Sequence, residues 1–327
     1  MIKKAILLMC FFGVSVNAQT ITETFGSGDN AFTMDFVTIG NPGNVADYLP
    51  YSAHGSVGYT YNLGKYEISR DQIIKANSDG GLGISLGDQS SSGGNGVNRP
   101  ASGISWNEAA RFVNYLNTSK GYQAAYNFTT SGANDNITLW ETGQYNGSNQ
   151  FRHKNAYYFL PSIDEWYKAA YYDPNKGGVG GYWTYPTGSD VAPTPVSEGT
   201  LDGTAVYGQR LGVVKNNPLP FTGWADVNNA GGLSSYGTMA QGGNMAEWTE
   251  SAAGGTDGIN DNPADYLMVV GGGVGQPSLA AFPSNGGAMP WVESSIAIRV
   301  ASIPEPSAFS LLAIGLGGLA IVMRRRS

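Results

Sequence analysis

ISWNEAARFVNYL at 104–116, LPSIDEWYKAAYYDP at 160–174 and GGNMAEW at 242–248 are the stretches on which the fold turns. The first two share one device. Ser105 is followed three residues later by Glu108, and Ser162 by Glu165. A serine of this kind caps the N3 amide while the acid reaches back to the cap, so each pair predicts a helix start. Trp106, Ala109, Ala110, Val113 and Leu116 then recur at helical spacing and predict one apolar face, ended by Asn117 to Gly121. The second run carries Trp166, Ala169 and Ala170 and must stop before Pro174, which has no amide to continue it. A third box, Ser69 with Gln72, predicts another short helix, with Ile68 and Ile73 at the staple positions.

Outward from these helices the regular signals thin. Residues 20–60 alternate in short runs such as Phe32-Thr33-Met34-Asp35-Phe36-Val37, which predict strands joined by Gly, Pro and Asn turns. Tyr59 to Ile68 predicts a further strand leading into the first helix. Stretches 77–99, 175–204 and 251–263 are rich in Gly, Ser, Asp, Asn and Pro and are expected to be long surface loops. Gly 47 of 327 residues and only 13% charged residues agree with a loop-rich chain, while 12% aromatics argue against disorder. The expected class is α+β.

The three strings, followed by GGG at 271–273 and IRV at 298–300, resemble the sulfatase-modifying-factor family of formylglycine-generating-enzyme-like domains. The family pattern reads roughly VSW-x-x-A, LPTEAEWEYAA, GNVWEW, RGGSW and GFR, and the resemblance spans about 60–302. It implies a C-type-lectin-like formylglycine-generating-enzyme fold, loop-rich with few short helices and small antiparallel sheets. It marks Trp106, Glu165, Trp166, Asn244, Trp248 and Arg299 as signature positions.

Chemistry is where this chain departs from the family. The formylglycine-generating enzymes use a cysteine pair that binds copper, between the RGGSW-like and GFR-like segments. Here that interval, Gly271 to Arg299, holds none. Ser, Pro and Ala do not replace thiolates toward Cu(I). Ala246 replaces the first Trp of GNVWEW, and Gly271, Val274 and Gly275 replace the Arg, Ser and Trp of RGGSW. A related iron-dependent branch needs three histidines or two with a carboxylate, whereas this chain has only His54 and His153, for which ordinary polar roles are expected. No copper or iron site is evident. The resemblance also implies structural calcium around GNVWEW, which here assigns carbonyls of Gly243 and Met245 and the carboxylate of Glu247 as ligands, with Ala240 offering no side-chain oxygen at a fourth position. The alternative for Asn244 and Glu247 is hydrogen bonding in a buried turn, with Trp248 as core. The GGG run is expected to be tight packing or a bulge, and Asp164-Glu165 a helix N-terminus stabilised by its dipole.

The ends speak of export. Met1-Ile2-Lys3-Lys4, an apolar run Ala5 to Val16 and Asn17-Ala18-Gln19 describe a signal peptide over 1–19. Pro304-Glu305-Pro306, an apolar stretch Ser307 to Met323 and Arg324-Arg325-Arg326 follow the domain at 20–303. The stretch is just long enough to span a thin bilayer, with the arginines cytoplasmic. Together, over 304–327, they resemble the PEP-CTERM sorting signal, which implies an exosortase-type protease as partner, a membrane-anchored stage and a destination at the outer cell surface or extracellular matrix. The formal charge is −7, and since the two ends hold five positive side chains and Glu305, the domain is near −11, which argues against a phosphate-backbone partner. Cys10, the only cysteine, lies in the leader, so the domain has no disulfide. The expectation is a non-catalytic binding module for a glycan, polymer or envelope protein. The alternative is a metal-dependent oxidase or protein-modifying enzyme of the formylglycine-generating type.

Overall fold

The computed structural model describes residues 20–49, 52–129, 137–147, 149–210, 219–220, 222–253, 267–273, 286–288 and 296–304. The leader at 1–19, the tail from 305, and Val274 and Gly275 lie outside these. In chain order the elements that position the site are β1 (Thr20–Phe25), β2 (Phe32–Ile39), β3 (Tyr61–Gly64), α1 (Arg70–Gly80), α2 (Trp106–Ser119), β4 (Tyr158–Phe159), α3 (Ile163–Tyr171), β5 (Glu247–Ala252), β6 (Leu267–Val270), β7 (Gly286–Ala288) and β8 (Ala301–Ser302). The main sheet is antiparallel throughout, in the order β1-β2-β3-β8-β4, and β5-β6-β7 form a second antiparallel sheet. The remaining strands are two- or three-residue pairings in the loops, two of them parallel. This is the α+β, loop-rich architecture expected.

All three capping boxes are formed. Ser69, Ser105 and Ser162 each accept the N3 amide, while Gln72, Glu108 and Glu165 accept the cap amide. The helices are short; α2 and α3 are sunk in the interior, whereas α1 buries only Arg70, Ile73 and Ala76. In α2 the five apolar positions named above are fully buried, and so are Asn107, Glu108 and Asn117 on its other faces. Asn117 accounts for itself by holding the chain at β4: its Oδ1 accepts both the Tyr157 and Tyr158 amides, and its Nδ2 donates to the Tyr158 carbonyl. In α3, Lys168 is also fully buried and donates to the Asn41 carbonyl at 2.9 Å. Its ammonium is pulled down to about 8 by burial.

One expected loop is shorter than its composition suggests. Residues 77–80 continue α1, because the helix ends only at Gly81, whose φ of 63° and amide bond to the Asn77 carbonyl supply a left-handed cap. Asp79 is held there by the Ser27 and Tyr115 hydroxyls. Strand β5 likewise runs through Ala252, into the third expected loop.

The topology puts the two ends of the described chain in one sheet. Strand β8 inserts between β3 and β4 in the middle of the main sheet. The run just before it is pinned on both sides: the Ile68 amide donates to the Ile298 carbonyl, the Gly64 amide to the Val300 carbonyl, and the Trp248 amide to the Ala297 carbonyl. Arg299 is therefore delivered to the centre of the molecule.

Removing a cap tests the local reading. Ser162→Ala is expected to lower unfolding free energy by about 1 kcal/mol, read from the urea midpoint at constant slope.

Candidate functional site

Glu247, at the start of β5, and Arg299 form an ion pair with both side chains fully buried. Arg299 Nη2 lies 2.6 Å from Oε1, and Nε lies 3.2 and 3.0 Å from the two carboxylate oxygens. Trp166 Nε1 donates to Oε2 at 2.7 Å. The guanidinium's other bonds run to the carbonyls of Gly64 and Met239, both at 2.8 Å. Charge and donors are thus satisfied within the protein, the condition under which a buried pair is tolerated.

A second carboxylate stands beside this pair. Glu67 accepts the Asn244 side-chain amide at 2.6 Å and the Met245 backbone amide at 3.1 Å. Burial, and then the nearby Glu247 charge, push it up to about 8, so it is mostly neutral at pH 7. Asn244 itself sits at φ 51° and accepts the Ala225 amide at 2.8 Å, so the GGNMAEW segment is a buried turn held by its own side chain.

In the glycine run that follows, Gly271 packs tightly. Gly271 has a φ of 91°, and a Cβ there would stand 3.1 Å from the Trp166 ring and 3.0 Å from the Gln241 carbonyl. Its own carbonyl accepts the Gly243 amide at 2.9 Å. The remaining signature tryptophans lock neighbouring segments: Trp106 Nε1 donates to the Thr249 carbonyl at 2.9 Å and Trp248 Nε1 to the Ile104 carbonyl at 3.1 Å.

These contacts bear on the calcium ligands that the family implies. Both oxygens of Glu247 are taken, and its counter-charge is a guanidinium. A calcium ion at this carboxylate would have to displace Arg299, so Gly243, Met245 and Glu247 do not fit the ion in this arrangement. Among the described residues no three His, Cys, Asp or Glu side chains converge as a metal-binding group. Tyr145 and Trp140 stand near His153, which is buried, its ring set edge-on against Trp140 at 4.7 Å. His54 Nδ1 lies 3.6 Å from Asp164 Oδ1, which also accepts the Gly55 amide at 2.8 Å.

Glu165 belongs to a different cluster. Besides capping α3, it accepts the Tyr59 hydroxyl at 2.5 Å and lies 3.4 Å from Arg152 Nη1. Arg152 Nε in turn lies 3.2 Å from Glu250, and its guanidinium stacks 3.9 Å over the Phe159 ring. Glu250 also receives the Asn149 amide at 2.7 Å and the Tyr126 hydroxyl at 3.0 Å. Burial raises its carboxyl to about 7, against the pull of Arg152. Burial likewise works against the Arg152 charge, but the Glu250 and Glu165 carboxylates outweigh it and keep the guanidinium protonated. This cluster opens on a cavity of about 200 Å³.

Of the signature residues, the fold joins Trp166, Asn244, Glu247 and Arg299, and it sends Trp106, Trp248 and Glu165 to adjacent sites. Glu67, Arg152 and Glu250 were not legible as partners. Glu250, three residues beyond Glu247 on a β strand that carries a bulge between Trp248 and Ala252, was the nearest available hint.

The α+β arrangement with this signature cluster defines a formylglycine-generating-type domain. The model of the sulfatase-modifying factor enzyme 1-like domain matches residues 51–299, and the chain belongs to that family. The PEP-CTERM protein-sorting motif matches 302–326, which makes this an exported, cell-surface-associated protein with a C-terminus of the kind that exosortase processes. Among solved structures, Treponema denticola variable protein 1 is similar with a TM-score of 0.56 at 17% identity, over 87% of this chain and 99% of that one. CarF is similar with a TM-score of 0.50 at 18% identity, over 83% and 99%. Both show the fold. No curated protein matches the chain.

Two outcomes follow. Arg299→Met leaves Glu247 buried without its counter-charge and is expected to cost about 3–5 kcal/mol. Adding Glu247→Gln should restore part of that loss, as measured by thermal melting. Glu67 and Glu250 both ionise near 4.5 when unfolded but near 8 and 7 when folded. Between those values the folded state holds more protons, so stability should fall as pH rises from about 5 to 8. Glu250→Gln should flatten the lower part of that slope in urea titrations.

Proposed function

We propose that this domain is a non-catalytic binding module at the cell surface, whose ligand is a glycan, a matrix polymer or another envelope protein. The observation that carries the reading is the closure of the signature site. Trp106, Glu165, Trp166, Asn244, Glu247, Trp248 and Arg299 all direct their polar atoms onto other groups of the protein. They act as pins for loops. The sequence agrees, because no cysteine lies between Gly271 and Arg299 to hold copper.

Accessible polar chemistry lies elsewhere, in clefts between loops. One is a cavity of about 420 Å³ bordered by Asp35, Tyr66, Asp71, Asn98 and Asn228. Amides, carboxylates and an aromatic ring on a concave surface suit hydroxyl-rich ligands. Structural calcium is not required at Glu247 under this reading, since Arg299 already neutralises it.

The test combines composition with binding. The purified protein is expected to carry no stoichiometric copper or iron by elemental mass spectrometry, to keep its melting temperature in chelator, and to be retained on at least one immobilised polysaccharide or envelope-protein fraction. Stoichiometric copper or iron with oxidative turnover on a thiol substrate would replace this reading with an enzyme. A melting temperature lowered by chelator would restore calcium.

A further inference from the structure

The cavity beside Arg152 has the chemistry of a subsite for one negatively charged sugar. Its walls include Tyr59, Asn146, Arg152, His153, Lys154 and Phe159. Arg152, about one-fifth exposed, is preorganised: Glu165 and Glu250 hold Nη1 and Nε, and the Phe159 ring supports its face. No hydrogen bond or ion pair among the described residues engages its second terminal nitrogen, Nη2. Glu165 and Glu250 are almost wholly buried behind it, so they orient the guanidinium and do not line the opening.

The neighbouring groups are donors as well. The Asn155 backbone amide donates to His153 Nδ1 at 3.1 Å, which places the proton of the neutral ring on Nε2. Burial lowers the His153 pKa and keeps the ring neutral. Lys154 is exposed at the rim and adds three N–H donors. The Tyr59 hydroxyl has spent its proton on Glu165, and its ring is 41% exposed. A cavity rich in donors selects a ligand rich in acceptors. An aromatic wall selects one with an apolar face.

The geometry points to a carboxylated sugar, a uronic acid residue of an acidic polysaccharide, as the ligand of this cavity. Its carboxylate would meet Arg152 Nη2 and Lys154, and the C–H face of its ring would lie against Tyr59. The volume of about 200 Å³ admits one such unit. A polymer would then be gripped through a single residue, with its neighbours outside. In a domain whose formal charge is near −11, the two cations Arg152 and Lys154 at one opening offset part of the general repulsion of an acidic chain. This assignment rests on the binding-module reading and names its ligand.

The experiment is calorimetric titration of the purified protein with D-galacturonate, D-galactose and a hexaglutamate peptide, alongside retention on polygalacturonate and on dextran. Galacturonate should bind about tenfold more tightly than galactose, the difference expected for a charge-assisted hydrogen bond. Arg152→Lys risks the fold because it disturbs two buried carboxylates, so Lys154→Met and Asn146→Ala at the cavity rim serve as the decisive variants. Each should weaken galacturonate several-fold without lowering the melting temperature. Equal affinity for galactose, or affinity untouched by both rim variants, overturns the assignment. Hexaglutamate binding as tightly as galacturonate overturns it in favour of an acidic protein ligand. Polygalacturonate retention that survives both variants overturns the subsite while leaving the binding module standing. Free galacturonate that titrates as expected, with no polymer or envelope protein retained, supports the subsite and removes the module.

Discussion

The Arg299–Glu247 pair is the constraint on which the interior is organised. Moving two charges out of water costs several kcal/mol per ion, and attraction repays that only when every donor and acceptor is matched. Here the matching groups come from five separate places: Gly64 at the end of β3, Trp166 in α3, Met239 in a loop, Glu247 at the start of β5, and Arg299 itself just before β8. None can shift without stranding a charge. In a fold with few hydrogen-bonded ladders, a buried guanidinium with five N–H donors does work that longer strands do in other proteins.

The same logic recurs at Arg152, with a different result. That guanidinium bridges two carboxylates, where Arg299 holds one, and it too gathers distant segments, from Tyr59 to Glu250. It differs in access. Arg299 is sealed on all sides, whereas Arg152 reaches a cavity. One cluster can only stabilise, and the other can also recognise. Beside the sealed pair, burial and then the Glu247 charge keep Glu67 largely protonated at neutral pH.

On the proposed binding-module reading, family membership and catalytic chemistry separate in this chain. The residues that hold the architecture persist, because replacing any one leaves a buried partner unsatisfied. Gly271, standing where the family pattern has arginine, lies against the Trp166 ring with a backbone angle that side chains avoid, so the position now serves packing.

Much of the local structure was legible in the chain. Ser69, Ser105 and Ser162 announced three helices because a cap and its N3 partner are neighbours in sequence, and their geometry needs nothing from afar. Alternation in 32–37 announced β2 for the same reason. The order of signature strings carried the family; Trp166, Asn244 and Arg299 stood out as signature positions, and Glu247 stood out as a calcium ligand rather than as the partner of Arg299. What sequence could not tell was who meets whom. That Arg299 pairs with Glu247, 52 residues away, depends on β8 entering the main sheet between β3 and β4. That Glu67 faces Asn244, and that Arg152 joins Glu165 to Glu250, depend on loops with no periodicity to read. Burial and charge pairing over such separations are decided by the packed whole, because the desolvation that enforces them exists only once the chain has closed around them.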